Sequence, residues 1–139
     1  MEADVLIIGG GAAGTVAALL LAKAGKHGII LEKNGQIGRK LRITGKGRCN
    51  LTNACDLDTL MANVPRNPKF LYSAFARWMP EDVMAYFEQL GVPLKVERGN
   101  RVFPVSDQAE DIVAALQRAL KWAGVPVYRE TVQQLLLND

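Results

Sequence analysis

Short apolar runs alternate with amphipathic stretches along this chain. Residues 4–8 (DVLII) and 28–32 (GIILE) are brief, almost wholly apolar segments of the kind that form buried parallel strands. Between them, Gly9-Gly10-Gly11-Ala12-Ala13-Gly14 leads into residues 15–23, which read as a helix that stops at Gly25. Residues 67–78 form an amphipathic helix with Phe70, Leu71, Ala74, Phe75 and Trp78 on one face, which the pattern assigns to a core together with Phe87. Pro80-Glu81-Asp82 opens a further helix closed by Gly91. Residues 94–97 and 101–105 flank Arg98-Gly99-Asn100 as a hairpin. Ser106 or Asp107 caps a helix carrying Ile112, Val113, Leu116 and Leu120, with Gly124 as its stop. Residues 125–128 and 131–137 read as the last strands.

Strand, glycine turn, helix and strand in that order predict an α/β fold of the Rossmann type. All three glycines of GxGxxG are present at Gly9, Gly11 and Gly14. Gly9 suits a tight turn, Gly11 lets the backbone approach a pyrophosphate, and Gly14 allows helix and strand to pack closely. The helix start offers unpaired N–H groups and the positive end of its dipole to phosphates. Glu32 ends the second strand 18 residues beyond Gly14, where a carboxylate accepts from ribose hydroxyls and repels a 2′-phosphate. The nucleotide-contacting set expected here is Gly9, Gly11, Ala12, Ala13, Gly14, Glu32 and the adjoining Lys33.

Composition narrows the class. With 139 residues, 49% hydrophobic and 22% charged, the chain reads as one soluble domain over residues 1–139, without repeats or linkers. The apolar run of residues 12–22 lacks a preceding basic region and is too short to span a bilayer, so no membrane association is expected. Cys49 and Cys55 match neither a CxxC pair nor a usual zinc spacing, and His27, the single histidine, sits in a turn; no metal site is expected. The reading is a reduced, cytoplasmic protein. No Ser-His-Asp or Cys-His set can be assembled, which disfavours hydrolytic chemistry.

Charge is uneven. Arg39, Lys40, Arg42, Lys46 and Arg48 fall within ten residues, leaving twelve basic residues elsewhere against 14 acidic ones, so the net charge of +3 is local. A cationic segment around Gly45-Lys46-Gly47 suits an anion; the alternative is a solvated basic loop. It is no Walker A loop, since Gly47 follows Gly45-Lys46 where that motif needs Ser or Thr after its lysine.

These residues carry a resemblance. Gly38-Arg39-Lys40, Thr44-Gly45-Lys46-Gly47-Arg48-Cys49-Asn50 and Thr52-Asn53 resemble the GRK…SGGGRCNxTN block of the BaiN-type (aminoacetone oxidase-like) NAD(P)/FAD-dependent oxidoreductases. Arg101-Val102-Phe103-Pro104-Val105-Ser106, with Ala109 and Asp111, resembles that family's GRVFPxSxxAxDV block. The resemblance implies a flavoprotein of the two-dinucleotide-binding-domain type, with FAD along the first strand and helix, and this chain as the N-terminal, incomplete part of such a domain. It adds Lys40, Thr44, Gly45, Gly47, Arg48, Cys49, Asn50 and Val132 to the cofactor-binding residues. Lys40 and Arg48 would neutralise phosphate or position polar atoms near the flavin, Gly45 and Gly47 would let backbone pass close to it, and Cys49 would be a structural or flavin-proximal thiol. Thr44 and Lys46 depart from the family's Ser and Gly. The implied activity is hydride transfer between FAD and an unidentified substrate, with NAD(P)H as electron donor. The alternatives are an RNA-binding or uridine-reducing flavoprotein fragment using the basic loop, and a non-catalytic flavin-binding subunit. No catalytic residue is assigned.

Overall fold

A computed structural model describes residues 2–136. In chain order its elements are β1 (Val5–Ile8), α1 (Ala12–Lys23), β2 (Gly28–Glu32), β3 (Thr52–Asn53), α2 (Leu57–Ala62) and α3 (Pro68–Arg77). They continue with α4 (Pro80–Gln89), β4 (Leu94–Glu97), β5 (Arg101–Pro104), α5 (Ala109–Trp122) and β6 (Val127–Arg129). The chain divides into two compact units: residues 1–43 with 113–139, and residues 44–112.

The first unit is built on a parallel sheet ordered β1-β2-β6. β1 runs beside β2 from Val5–Gly28 to Ile8–Leu31, and β2 beside β6 from Ile30–Val127 to Glu32–Arg129. Ile29 and Ile30 are buried at its centre, as parallel strands require. The family fold is therefore present as an α/β arrangement in which Gly9 follows β1 and Glu32 ends β2 at the same end of the sheet. α1 begins at Ala12, three residues before the expected start, so the last half of the glycine motif is already helix. Its end is the expected one, with Gly25 left-handed at φ +72°.

The second unit holds an antiparallel sheet ordered β3-β5-β4. β4 and β5 pair from Leu94–Pro104 to Glu97–Arg101 across the expected turn, where Gly99 and Asn100 both have positive φ. Val102, Phe103, Phe87 and Val92 are buried in its core.

Two expectations are corrected. Residues 131–136 contain no strand, and Leu137 lies outside the described residues. On α3 no residue is buried and Phe70 is 85% exposed, although Phe87 on α4 is buried as expected. Periodicity places apolar residues on one face of α3, but whether that face meets a partner is settled by tertiary packing.

Candidate nucleotide-binding site

The glycine turn shows three different steric demands. Gly9 takes φ +100°, a conformation that side chains resist. A β-carbon at Gly14 would lie 2.0 Å from the Gly9 carbonyl oxygen, so only glycine permits that approach of α1 to the turn. At Gly11 a β-carbon would meet nothing within 4 Å, and the residue is exposed. Gly11 is also the N-cap of α1 and caps it with no side chain, which leaves the first-turn N–H groups open to an anion. Ala12 and Ala13 are exposed on that turn, which carries no acidic residue of its own. Thr15 is fully buried, its hydroxyl donating back to the carbonyls of Gly11 and Ala12.

Glu32 is turned toward this motif. Its Oε2 accepts from the Gly10 N–H at 2.7 Å, and its Oε1 accepts from the Asn34 N–H at 2.8 Å and the Asn34 side-chain amide at 2.6 Å. Only 8% of the residue is exposed. Burial alone would raise its pKa, but the donors of Asn34 and Gly10, with the charge of Lys33, outweigh it and hold the carboxyl below its ordinary value. It is a carboxylate near neutrality. Lys33 itself is exposed.

The beginning of the basic block closes over the turn from the other side. The Gly38 N–H donates to the Gly10 carbonyl at 2.8 Å, and Gly38 has φ +69° with Val113 against it. Ile37 packs so near Gly10 that a β-carbon there would lie 2.6 Å from it. Arg39 donates to the Asn34 side-chain oxygen at 3.1 Å, and Arg42 donates to the Ile37 carbonyl. Lys40 is exposed. Val132, beyond β6, is half-buried in a stretch without regular structure. A recess of about 400 Å³ beside Glu32 is lined by Gln36, Ile37, Leu120, Lys121, Tyr128 and Arg129 among others.

The remaining expected residues lie in the second unit, where they make one tight turn. Gly45, Lys46 and Gly47 are consecutive left-handed residues, with φ values of +55°, +59° and +85°. Lys46 thus occupies a conformation natural to the glycine it replaces in the resembled motif. Gly45 has no room for a side chain, since a β-carbon would lie 2.8 Å from the Asn50 nitrogen. Thr44 is exposed, and its carbonyl accepts from the Cys49 N–H at 3.0 Å. Cys49 is buried, which pushes its thiol pKa up, and a bond with the Thr44 hydroxyl only partly offsets this. Asn50 donates its amide to the carbonyls of Thr52 and Val102 at 2.9 and 3.2 Å and so pins the turn to β5.

Arg48 is held in a way the sequence did not suggest. Its guanidinium forks onto Glu97 at 2.9 and 3.0 Å, reaches Asp107 at 3.0 Å, and lies 3.8 Å over the Phe103 ring. Lys95 completes the cluster, 2.7 Å from Asp107 and 3.3 Å from Glu97. The Arg48 charge is thus compensated within its own unit. The pairing pushes Arg48 up and draws Glu97 down to about 2. Sequence reading also missed Asn34, whose place two residues after a carboxylate is the usual spacing for a local side-chain turn. The partners of Arg48, 49 and 59 residues away, left no local signal.

Among the described residues no helix is long and apolar enough to cross a membrane, and no cluster of side chains could hold a metal ion.

Comparison with known proteins places this geometry. Residues 3–138 match the HI0933-like protein Rossmann domain, and the chain belongs to that family. It is 36% identical, over 125 residues, to a 3-dehydro-bile acid delta(4,6)-reductase of Clostridium scindens, a match covering 88% of this chain and 30% of that protein. It is 33% identical over 138 residues to a ribosomal RNA dihydrouridine synthase of Haemophilus influenzae, covering 96% of this chain and 33% of the relative. The chain therefore spans about a third of the length of these relatives. Among solved structures, a 3-ketosteroid-delta4-(5alpha)-dehydrogenase from Rhodococcus jostii superposes with TM-score 0.63 at 16% identity, covering 91% of this chain and 37% of that one. Thermovibrio ammonificans THI4 does so with TM-score 0.57 at 20% identity, covering 91% and 38%. Likeness at that level establishes the shared fold.

Proposed function

We propose that this member of the HI0933-like Rossmann family is the FAD-binding part of a flavin-dependent oxidoreductase. The observation that carries the reading is the open, side-chain-free face at Gly11, set beside the ionised Glu32 at the same end of the parallel sheet. The residues present fit the adenosine diphosphate half of such a cofactor. The first-turn N–H groups of α1 would hold the pyrophosphate, and Glu32 would accept from a ribose hydroxyl. When bound, FAD supplies the hydride chemistry, with NAD(P)H as the proposed electron donor. The chain's own residues bind and orient. Glu32 disfavours a 2′-phosphate by charge, and Gly11 keeps a side chain from the phosphate path while Gly9 and Gly14 shape the turn beneath it. Lys40, Thr44, Gly45, Gly47, Cys49, Asn50 and Val132 belong to the proposal as cofactor-side residues, with Gly45 and Asn50 shaping a backbone turn rather than supplying charge.

The names of the relatives support reductive chemistry on differing substrates, one a bile-acid derivative and the other ribosomal RNA. The exposed Lys33, Arg39 and Lys40 favour, as a second reading, an anionic substrate such as RNA. Reconstituting the purified chain with FAD, and comparing it with a Gly11→Trp variant, tests the main reading. Retained flavin absorbance in the wild type alone supports it. Equal failure of both to bind FAD or ADP overturns it. For the second reading, RNA affinity must fall steeply with salt and with neutralisation of Arg39 and Lys40.

A further inference from the structure

We propose that Asn34 is the positioning residue of the nucleotide site, holding the Glu32 carboxylate so that Oε2 is the oxygen offered to a ribose hydroxyl. This rests on the adenine-nucleotide reading given above.

The argument is one of acceptor capacity. A carboxylate has about four lone-pair sites, two on each oxygen. Oε1 receives the backbone N–H and the side-chain amide of Asn34, at 2.8 and 2.6 Å, so both its sites are filled. Among the described residues Oε2 receives the Gly10 N–H alone, at 2.7 Å, which leaves one site beside the phosphate turn. The orientation of the Asn34 amide is itself fixed, because its oxygen accepts from Arg39 at 3.1 Å. A flipped amide would set oxygen against the Glu32 carboxylate and nitrogen against a guanidinium. Arg39, Asn34, Glu32 and Gly10 thus form a chain of hydrogen bonds, each donating to the next up to the carboxylate, which Gly10 meets from the far side.

Of the other titratable groups around Glu32, Lys33 is the charge that acts on it, and none of those below bonds to Asn34. Lys33 adjoins it in the chain, and Arg129 of β6 is its neighbour in the sheet register. Lys121 of α5 and Tyr128 of β6 line the same recess. Glu130 meets it only through backbone, donating its N–H to the Glu32 carbonyl. The phosphate turn and α1 carry no charged side chain before Lys23.

The test follows Glu32 directly. In the nucleotide-free chain, the side-chain carboxyl of Glu32 is titrated by carbon NMR in wild type, Asn34→Ala and Asn34→Asp, and ADP affinity is measured calorimetrically across the same pH range. Removing the amide donor should move the Glu32 titration to higher pH in Asn34→Ala. Asn34→Asp, of equal size but bearing a like charge beside Oε1, should move it further. The acid limb of ADP binding should follow, an upward move of about one pH unit weakening binding about tenfold below both titrations. A packing role predicts the reverse order, with Asp close to wild type and Ala the worse. Superimposed Glu32 titrations in all three proteins, or that reversed order, overturn the proposal. Wild type binding neither ADP nor FAD at any pH overturns the nucleotide reading instead, and the NMR titration still decides whether Asn34 holds the carboxylate.

Discussion

Gly14 lies so close to the carbonyl oxygen of Gly9 that a β-carbon added to it would stand 2.0 Å away, well inside van der Waals contact. The obstacle is backbone, which cannot swing aside as a side chain can. Gly14→Ala should therefore destabilise the first unit by about 2 kcal/mol or more, the range of forced overpacking. Urea unfolding measures it, and a midpoint equal to wild type would refute the packing role.

Gly11 belongs to the same motif and predicts the opposite. Its φ of −80° suits any residue and the space beside it is open. Gly11→Ala should leave the thermal midpoint unchanged while FAD affinity falls roughly tenfold, about 1.4 kcal/mol of lost phosphate approach. Paired unfolding and flavin-binding measurements separate the two glycines.

At Lys46, φ +59° and ψ +41° place an ordinary side chain in the left-handed region, between two glycines that are also left-handed. Lys46→Gly should stabilise the chain by about 0.5–1 kcal/mol, the relief of strain less the extra freedom given to the unfolded chain. Chemical denaturation is the check, and a loss of stability would show that the lysine side chain contributes more than its backbone costs.

Glu97 and Asp107 give the fold an acid limit. Both carboxyls are drawn below their ordinary values, Glu97 to about 2 by the Arg48 guanidinium and Asp107 chiefly by Lys95. A depressed carboxylate stabilises the fold above its unfolded pKa, and that contribution is lost as pH falls toward the folded one. The thermal midpoint should therefore drop between about pH 4.5 and pH 2, and the drop should shrink in Arg48→Met. Circular dichroism melts over that range decide it; parallel curves for the two proteins would show that the pairing adds no linkage.

Phe70 and Phe87 are the same residue type in opposite surroundings. Phe87→Ala should cost about 3–4 kcal/mol, as for a buried aromatic, whereas Phe70→Ala should change stability by less than about 0.5 kcal/mol. A large loss at Phe70 would place it in packing that the second unit does not show.

Much of this was legible in the chain. Residues 28–32 are the observed β2, the Gly25 and Gly91 stops both have positive φ, and the hairpin at 98–100 lies where its turn residues put it. The glycine turn was equally clear, because Gly9 and Gly14 act on neighbours a few residues away. The pattern of residues 131–136 misled, since a strand needs an adjacent strand as well as composition. β3 and α2 escaped notice because two and six residues carry too little periodicity to read.

The sequence by itself determined the βαβ unit, the place of its glycine turn and the family, because those rest on backbone freedom and on local spacing. Only the tertiary structure decided where the charges are used. Arg48 meets Glu97 and Asp107 across 49 and 59 residues, and its cation is neutralised at home; Glu32, 22 residues from Gly10, is aimed at the glycine turn and bonded there by Asn34. Chain folding sets such distances, and a side chain's electrostatic role depends on what stands within a few ångströms of it.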